Sequence, residues 1–221
     1  DTRDRTARIV VRPAQPFIRQ TVLRSTIKVR MTWSGSDPGS GIKSYQLQES
    51  RNGGTYTNVA LITPTRYYAD RTLTNNASYR YRVRATDREG NVSGWRYSQT
   101  FKPAVFQETS GLASYTGAWL TYKTTGALGG AVKYTPTLGK KVVFGYTVYD
   151  IALVMTRTAS SGSAGIYIDG VLSTRINLRA TKTTYRQLVY TKHFTTLGAH
   201  TIEIRPIGTG RVDIDGFAVL R

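Results

Sequence analysis

The chain has 221 residues, no cysteine, and 31 Lys and Arg against 13 Asp and Glu, for a formal charge of +18. That length holds one large or two ordinary domains, and the missing cysteine excludes disulfide frameworks, thiolate zinc sites and cysteine nucleophiles while leaving the redox compartment open. Charge is shared, with 18 basic against 7 acidic residues up to position 105 and 13 against 6 beyond it. A field spread this way favours polyanions and anionic surfaces, and added solubility is the competing explanation.

In chain order, the opening DTRDRT reads as a frayed end or the last part of a linker. Starting at Asp1 without methionine or an apolar run, the chain is expected to be a processed protein or an excised piece. No stretch approaches the apolar length of a membrane span. Period-two alternation then predicts strands at IKVRMTW (27–33), YQLQES (45–50) and YRYRVRA (79–85), with turns at SDPGSG, RNGG, TNNAS and REGN. Arg80, Arg82 and Arg84 should line one face of the third strand, with Tyr79, Tyr81 and Val83 on the other. FKPAVF, with Pro103, marks a boundary that divides the chain into domains 1–103 and 104–221. Beyond it, GIYIDG, HTIEIR and RVDIDGFAVL alternate in the same way, and Asp169-Gly170 is a two-residue hairpin signal. No segment holds a helical period over three turns. The fold class is therefore all-β, as two antiparallel β-sandwich domains.

Residues 31–95 are MTWSGSDPGSGIKSYQLQESRNGGTY through LTNNASYRYRVRATDREGNVSGW, with Trp33, Tyr45 and Leu73 six residues before Tyr79. This pattern resembles a fibronectin type III domain of the bacterial extracellular kind. The resemblance implies that Tyr79 is a tyrosine-corner residue, its ring buried and its hydroxyl bonded to nearby backbone. It also implies that Arg80, Arg82 and Arg84 face outward, with Gln46, Gln48, Arg96 and Tyr97 sharing or bordering that face. Such a face suits sulfate, phosphate or carboxylate, and equally a solvated or domain-contacting outside.

From Phe106 onward, YTGAW at 115–119, Gly129-Gly130, IYIDG, GAHTIEIR and a final DIDGFAVL occur in the order of another family. This half resembles the galactose-binding-like jelly roll used by many carbohydrate-binding modules. Sugar binding needs aromatic faces with polar groups beside them. The candidates are Tyr115, Trp119, Tyr122, Lys123, Tyr185 and Arg186, with Tyr190 in the later segment. Trp119 serves as well in a core as on a platform. Tyr122 and Tyr185, each next to Lys or Arg, suit an acidic sugar better than a neutral one. The resemblance further implies a structural calcium held by Glu108 and by Asp213 or Asp215, against the alternative that these acids form salt bridges.

Neither histidine, His193 or His200, has a metal-ligand spacing, and TTLG between them is expected to join separate strands. No nucleophile or phosphate-loop motif occurs. The expected function is non-catalytic and extracellular: recognition of carbohydrate or an anionic cell-surface polymer, with the first domain as spacer. The alternative is a structural subunit of a surface layer, filament or sheath that self-associates through β-domain contacts. Nucleic acid is expected to bind only non-specifically, and no membrane insertion is expected.

Overall fold

The computed structural model describes residues 6–8, 13–17 and 20–221; Asp1–Arg5, within the opening read as a frayed end or part of a linker, lies outside them. The chain divides into two compact units, unit 1 (Asp1–Ile18 and Lys28–Pro103) and unit 2 (Arg19–Ile27 and Ala104–Arg221). No helix occurs among the described residues, in keeping with the lack of any sustained helical period.

Unit 1 contains β1 (Thr6–Arg8), β2 (Pro13–Phe17), β3 (Thr26–Thr32), β4 (Ser34–Ser36), β5 (Ile42–Arg51), β6 (Thr57–Val59), β7 (Tyr68–Thr74), β8 (Tyr79–Asp87) and β9 (Arg96–Tyr97). One sheet runs β2-β3-β7, another β6-β5-β8-β9, and β1 pairs with β4. Along β8 the predicted alternation holds: Tyr79, Tyr81, Val83 and Ala85 are buried while Arg80, Arg82 and Arg84 face out. Val29, Met31, Trp33, Leu47 and Leu73 complete the interior, and Tyr81 stacks on Phe101 at 6.1 Å and 16°. The Tyr79 hydroxyl accepts the Thr74 N–H at 2.9 Å, which ties β8 to the end of β7. Glu49 collects the Tyr81 hydroxyl and two Arg71 N–H bonds at 3.0 and 2.9 Å. With that network satisfied, a buried tyrosine hydroxyl is tolerated.

Unit 2 contains β10 (Pro103–Gln107), β11 (Ala113–Thr116), β12 (Leu120–Lys123), β13 (Ala131–Thr135), β14 (Lys141–Arg157), β15 (Ser163–Ile168), β16 (Val171–Asn177), β17 (Thr184–Ile207) and β18 (Val212–Leu220). They form one curled sheet, β12-β13-β18-β14-β17-β15-β16, to which β10 adds at β18 and β11 at β14. β14 and β17, of 17 and 24 residues, are too long for a single flat layer. Each bends and serves two. The first part of β14, Lys141–Phe144, lies between β11 and the Ile202–Ile204 part of β17, whose other side pairs with β15. The second part, Asp150–Met155, lies between β18 and the 187–193 part of β17. The bend falls where Tyr149 alone stands opposite Phe194–Leu197. TTLG is therefore a wide bulge inside one strand; it does not join two separate strands. The excess residues let β17 turn the corner with β14.

Between the two layers Val142, Phe144, Ile166, Ile202 and Ile204 meet Ile151, Leu153, Met155, Ile214, Phe217 and Val219. This is a β-sandwich of jelly-roll type. Phe144 stacks on Phe217 across it at 4.3 Å and 9°. Asp169 and Gly170 turn β15 into β16 with φ of 49° and 82°, the primed-turn geometry their sequence predicts. A short early stretch also joins unit 2: the Val22 N–H bonds to the Arg186 carbonyl at 2.8 Å and the Leu188 N–H to that of Gln20 at 3.1 Å.

Candidate functional site

β18 organises the site. Val212 and Ile214 face the core, and so do Phe217 and Val219, so the alternation slips by one residue between them. Pairing with β14 shows where: Met155 faces Ile214 while Val154 faces Gly216, which leaves Asp215 as the extra residue of a bulge. The Asp215 side chain, fully buried, accepts the Leu128 N–H at 2.8 Å and the Arg186 N–H at 3.1 Å. It thus ties the loop after β12 to the start of β17, where Arg186 takes a positive φ of 55°. Burial pushes its carboxyl up to about 6, against the pull of the two backbone donors.

Glu108 follows β10 and is 2% exposed. Burial raises its carboxyl too, opposed by the charges of Lys133 and Arg24, and it in turn raises Asp215. Its Oε2 is closed off from solvent without a hydrogen-bond partner, an acceptor a cation would satisfy. Asp213 is engaged elsewhere, taking Arg211 in a two-pronged pair at 2.6 and 2.7 Å. No group of three or more His, Asp or Glu gathers among the described residues. The acids expected to share one site are therefore divided: Glu108 and Asp215 influence one another, and Asp213 serves a salt bridge. The bulge explains the division, because it sets Asp215 apart from the regular alternation that carries Asp213.

Tyr185 packs on Gly126, where a Cβ would overlap the Tyr185 ring. That glycine lies in the 124–130 loop held by Asp215, so the ring, the loop and Arg186 form one assembly. Tyr122 and Lys123, both exposed, lead into the same loop from β12. The Arg211 guanidinium lies 5.1 Å from the Tyr122 ring and 3.9 Å from that of Tyr134, so that a clamped cation sits beside the exposed ring. Tyr134 and Arg211 were not among the sequence candidates. Their signal was spacing: Tyr134 stands opposite Asp213, and Arg211, just before β18, lies two residues from Asp213, legible only once β13 is known to pair with β18. Tyr115 and Trp119 instead pack against the core and meet edge to face at 5.3 Å, with the Tyr115 hydroxyl donating to the Glu108 carbonyl at 2.8 Å. Burial raises that hydroxyl. Tyr190 also packs on the core and shares a 2.7 Å hydrogen bond with Ser173.

Both histidines are tied to acids through Nδ1, His193 to Asp150 at 2.6 Å and His200 to Asp169 at 2.7 Å. Asp150 is fully buried and burial pushes it up to about 8.

On unit 1, the outer face of β8 carries a ladder of cations and rings. Arg82 lies 4.2 Å from Tyr56 and 4.3 Å from Trp95, Arg84 lies 4.6 Å from Trp95, and Arg80 lies 4.9 Å from Tyr97. Gln48 and Gln46 accept the Nε–H groups of Arg82 and Arg84, each at 2.7 Å, and both glutamines donate to Asn58. Arg96 does not belong to this face. The register pairs it with Val83 and pairs Tyr97 with Arg82, and residues directly opposite share a face.

No family model matches the chain. Two curated amylopullulanases, from Thermoanaerobacterium saccharolyticum and Thermoanaerobacterium thermosulfurigenes, are 33% and 32% identical over 79 residues, 35% of this chain. The match covers only 6% and 4% of those relatives' own lengths. Among solved structures the chain is similar to a family 35 carbohydrate-binding module from Clostridium thermocellum, at 12% identity and a TM-score of 0.43 over 53% of this chain and 97% of that one. It is also similar to the family 35 module from Cellvibrio japonicus Abf62, at 16% and 0.44 over 54% and 96%. A family 36 module in complex with calcium and xylotriose follows at 13% and 0.35 over 54% and 99%. Similarity at this level says nothing about ligand.

Proposed function

We propose that the chain is a non-catalytic, extracellular glycan-binding piece in which unit 2 recognises polysaccharide and unit 1, of fibronectin type III-like kind, acts as spacer. The observation that carries this is Tyr185 seated on Gly126, with Tyr122, Lys123 and Arg186 bordering the same loop. A ring held in place by packing on a glycine loses little freedom when a sugar stacks on it. The local match to amylopullulanases supports a setting beside carbohydrate.

The test is retention of the whole chain on a panel of neutral and acidic polysaccharides at two salt concentrations. Saturable binding that survives moderate salt is expected, with Tyr185→Ala weakening it at least tenfold. No retention on any polysaccharide, or retention lost with salt and indifferent to Tyr185, would sink this function.

The residues at Glu108 and Asp215 fit a structural calcium in part. They supply two carboxylates, and backbone carbonyls would have to provide most of the six to eight oxygens. A bound calcium stabilises only the folded chain, by about 2.7 kcal/mol at a hundredfold excess over Kd. At pH 7.5, millimolar calcium is expected to raise Tm by about 5 °C or more over EGTA, and Glu108→Gln to abolish the difference. Equal melting in calcium and EGTA would leave Glu108 to the charges of Lys133 and Arg24 and Asp215 to the Leu128 and Arg186 amides.

A further inference from the structure

We infer that the outer face of the β6-β5-β8-β9 sheet in unit 1 is a second binding surface, for a polysaccharide bearing sulfate or carboxylate groups. This does not rest on the glycan site of unit 2. The chain holds few acids and pairs them selectively: Arg30 with Asp70, Arg71 with Glu49, Arg205 with Glu203, Arg211 with Asp213. Among the described residues no such ion pair involves Arg80, Arg82 or Arg84. Three guanidiniums therefore stand on alternate positions of one strand, about 7 Å apart in succession, without a compensating carboxylate.

Their geometry is prepared for an oxyanion. In Arg82 and Arg84 the Nε–H is turned along the sheet to the glutamine opposite on β5, and in Arg80 to the Ser98 carbonyl at 3.3 Å. The terminal NH2 groups of all three make no hydrogen bond among the described residues. Arg82 is held between the rings of Tyr56 and Trp95, so its plane is fixed before any ligand arrives. A guanidinium fixed in this way presents its free edge as a fork that matches sulfate or carboxylate, and little rotamer freedom is left to lose.

The same contacts argue against nucleic acid. Arg82 and Arg84 both lie over Trp95, so that ring is not free to stack on an unpaired base. A flat sheet face also offers no helix to a groove. A flexible acidic polysaccharide needs neither, only oxyanions that can follow the row.

The test measures retention of the whole chain on dextran sulfate and polygalacturonate, with neutral dextran as control, at moderate salt. Arg82→Gln with Arg84→Gln is expected to weaken binding to the acidic polymers at least tenfold. Arg51→Gln with Arg88→Gln removes the same charge at two exposed positions of this unit off the arginine row, the last residue of β5 opposite Tyr79 and the turn after β8, and is expected to cost less than threefold. Measured in a Tyr185→Ala background, the two double variants are expected to differ on dextran sulfate by the same ratio, which separates failure of this surface from failure of the unit 2 site. Equal losses from the two double variants would overturn the inference in favour of net charge, and duplex DNA bound as tightly at matched salt would overturn the choice of polysaccharide. Should the Arg82/Arg84 variant not fold, titrating dextran sulfate oligomers into the unmodified chain and following the indole N–H of Trp95 and the Nε–H signals of Arg82 and Arg84 decides the matter. Shifts there support the surface, and binding without them refutes it.

Discussion

Gly216→Ala is expected to destabilise unit 2 by about 3 kcal/mol, the upper end of what inserting a carbon into a packed interior costs. Gly216 sits beside the Asp215 bulge, between β14 and β10. A Cβ there would overlap the Phe106 carbonyl oxygen and stand 3.2 Å from Leu128 Cδ1. The carbonyl is backbone, so it cannot rotate away as a side-chain end could. Relief requires β10 to separate from β18 or the bulge to shift, and a shift pulls Asp215 off the Leu128 and Arg186 amides. Stability and the 124–130 loop should therefore fail together. Thermal melting should fall by roughly 6–12 °C for a chain of this size, with Tyr185-dependent glycan binding lost in the same variant. Gly111→Ala is the control, since its Cβ would meet nothing within 4 Å. Equal melting of the two variants would show that β10 yields freely and that the bulge does not depend on this glycine.

The second large effect concerns Asp150. Its carboxyl is fully buried at the bend of β14, with Oδ1 on His193 and Oδ2 lacking a partner. Burial raises it to about 8, whereas in the unfolded chain it titrates near 4. Between those values the folded state binds more protons than the unfolded one, so stability falls as pH rises, by up to about 1.4 kcal/mol per pH unit. Asp215, raised to about 6 by burial, adds the same sign in the lower part of that window. Asp70, Asp169 and Glu203 are lowered by their partners. Their contribution is present above the unfolded value and is lost only as pH drops through the acid range. Denaturant unfolding should therefore show stability declining from pH 5 to 8. Asp150→Asn, neutral throughout, should flatten the curve above pH 6 and be the more stable protein at pH 8. The opposite sign, with Asp150→Asn weaker at pH 8 by several kcal/mol, would mean that His193 holds Asp150 as an ion pair strong enough to outweigh its burial.

Much of the site chemistry could be named from sequence but not placed. Tyr185, Arg186, Glu108 and Asp215 were legible as candidates because aromatic, basic and acidic residues announce their chemistry. Their grouping was not, since it depends on Gly126, Leu128 and a bulge almost ninety positions away in the chain. Arg96 shows the converse: it looked like a fourth member of the arginine face, and a register of one residue put Tyr97 there instead. The three strand arginines needed no such information, because alternation alone fixes which neighbours share a face.

The local features follow from the residues alone. The period of two marked strands at 27–33, 45–50, 79–85, 165–170, 200–205 and 211–220, Asp169-Gly170 made a hairpin turn, and Tyr79, Tyr81 and Val83 faced inward because burying arginine in their place would cost far more. The long-range features needed the packed chain: that residues 20–22 hydrogen-bond with 186–188, that TTLG stays inside β17, and that Asp215 leaves the alternation of its strand. These depend on how two strands of unequal length bend together over one core. Pairing register and bulges follow from packing between segments far apart in the chain, and no short window of residues carries that information.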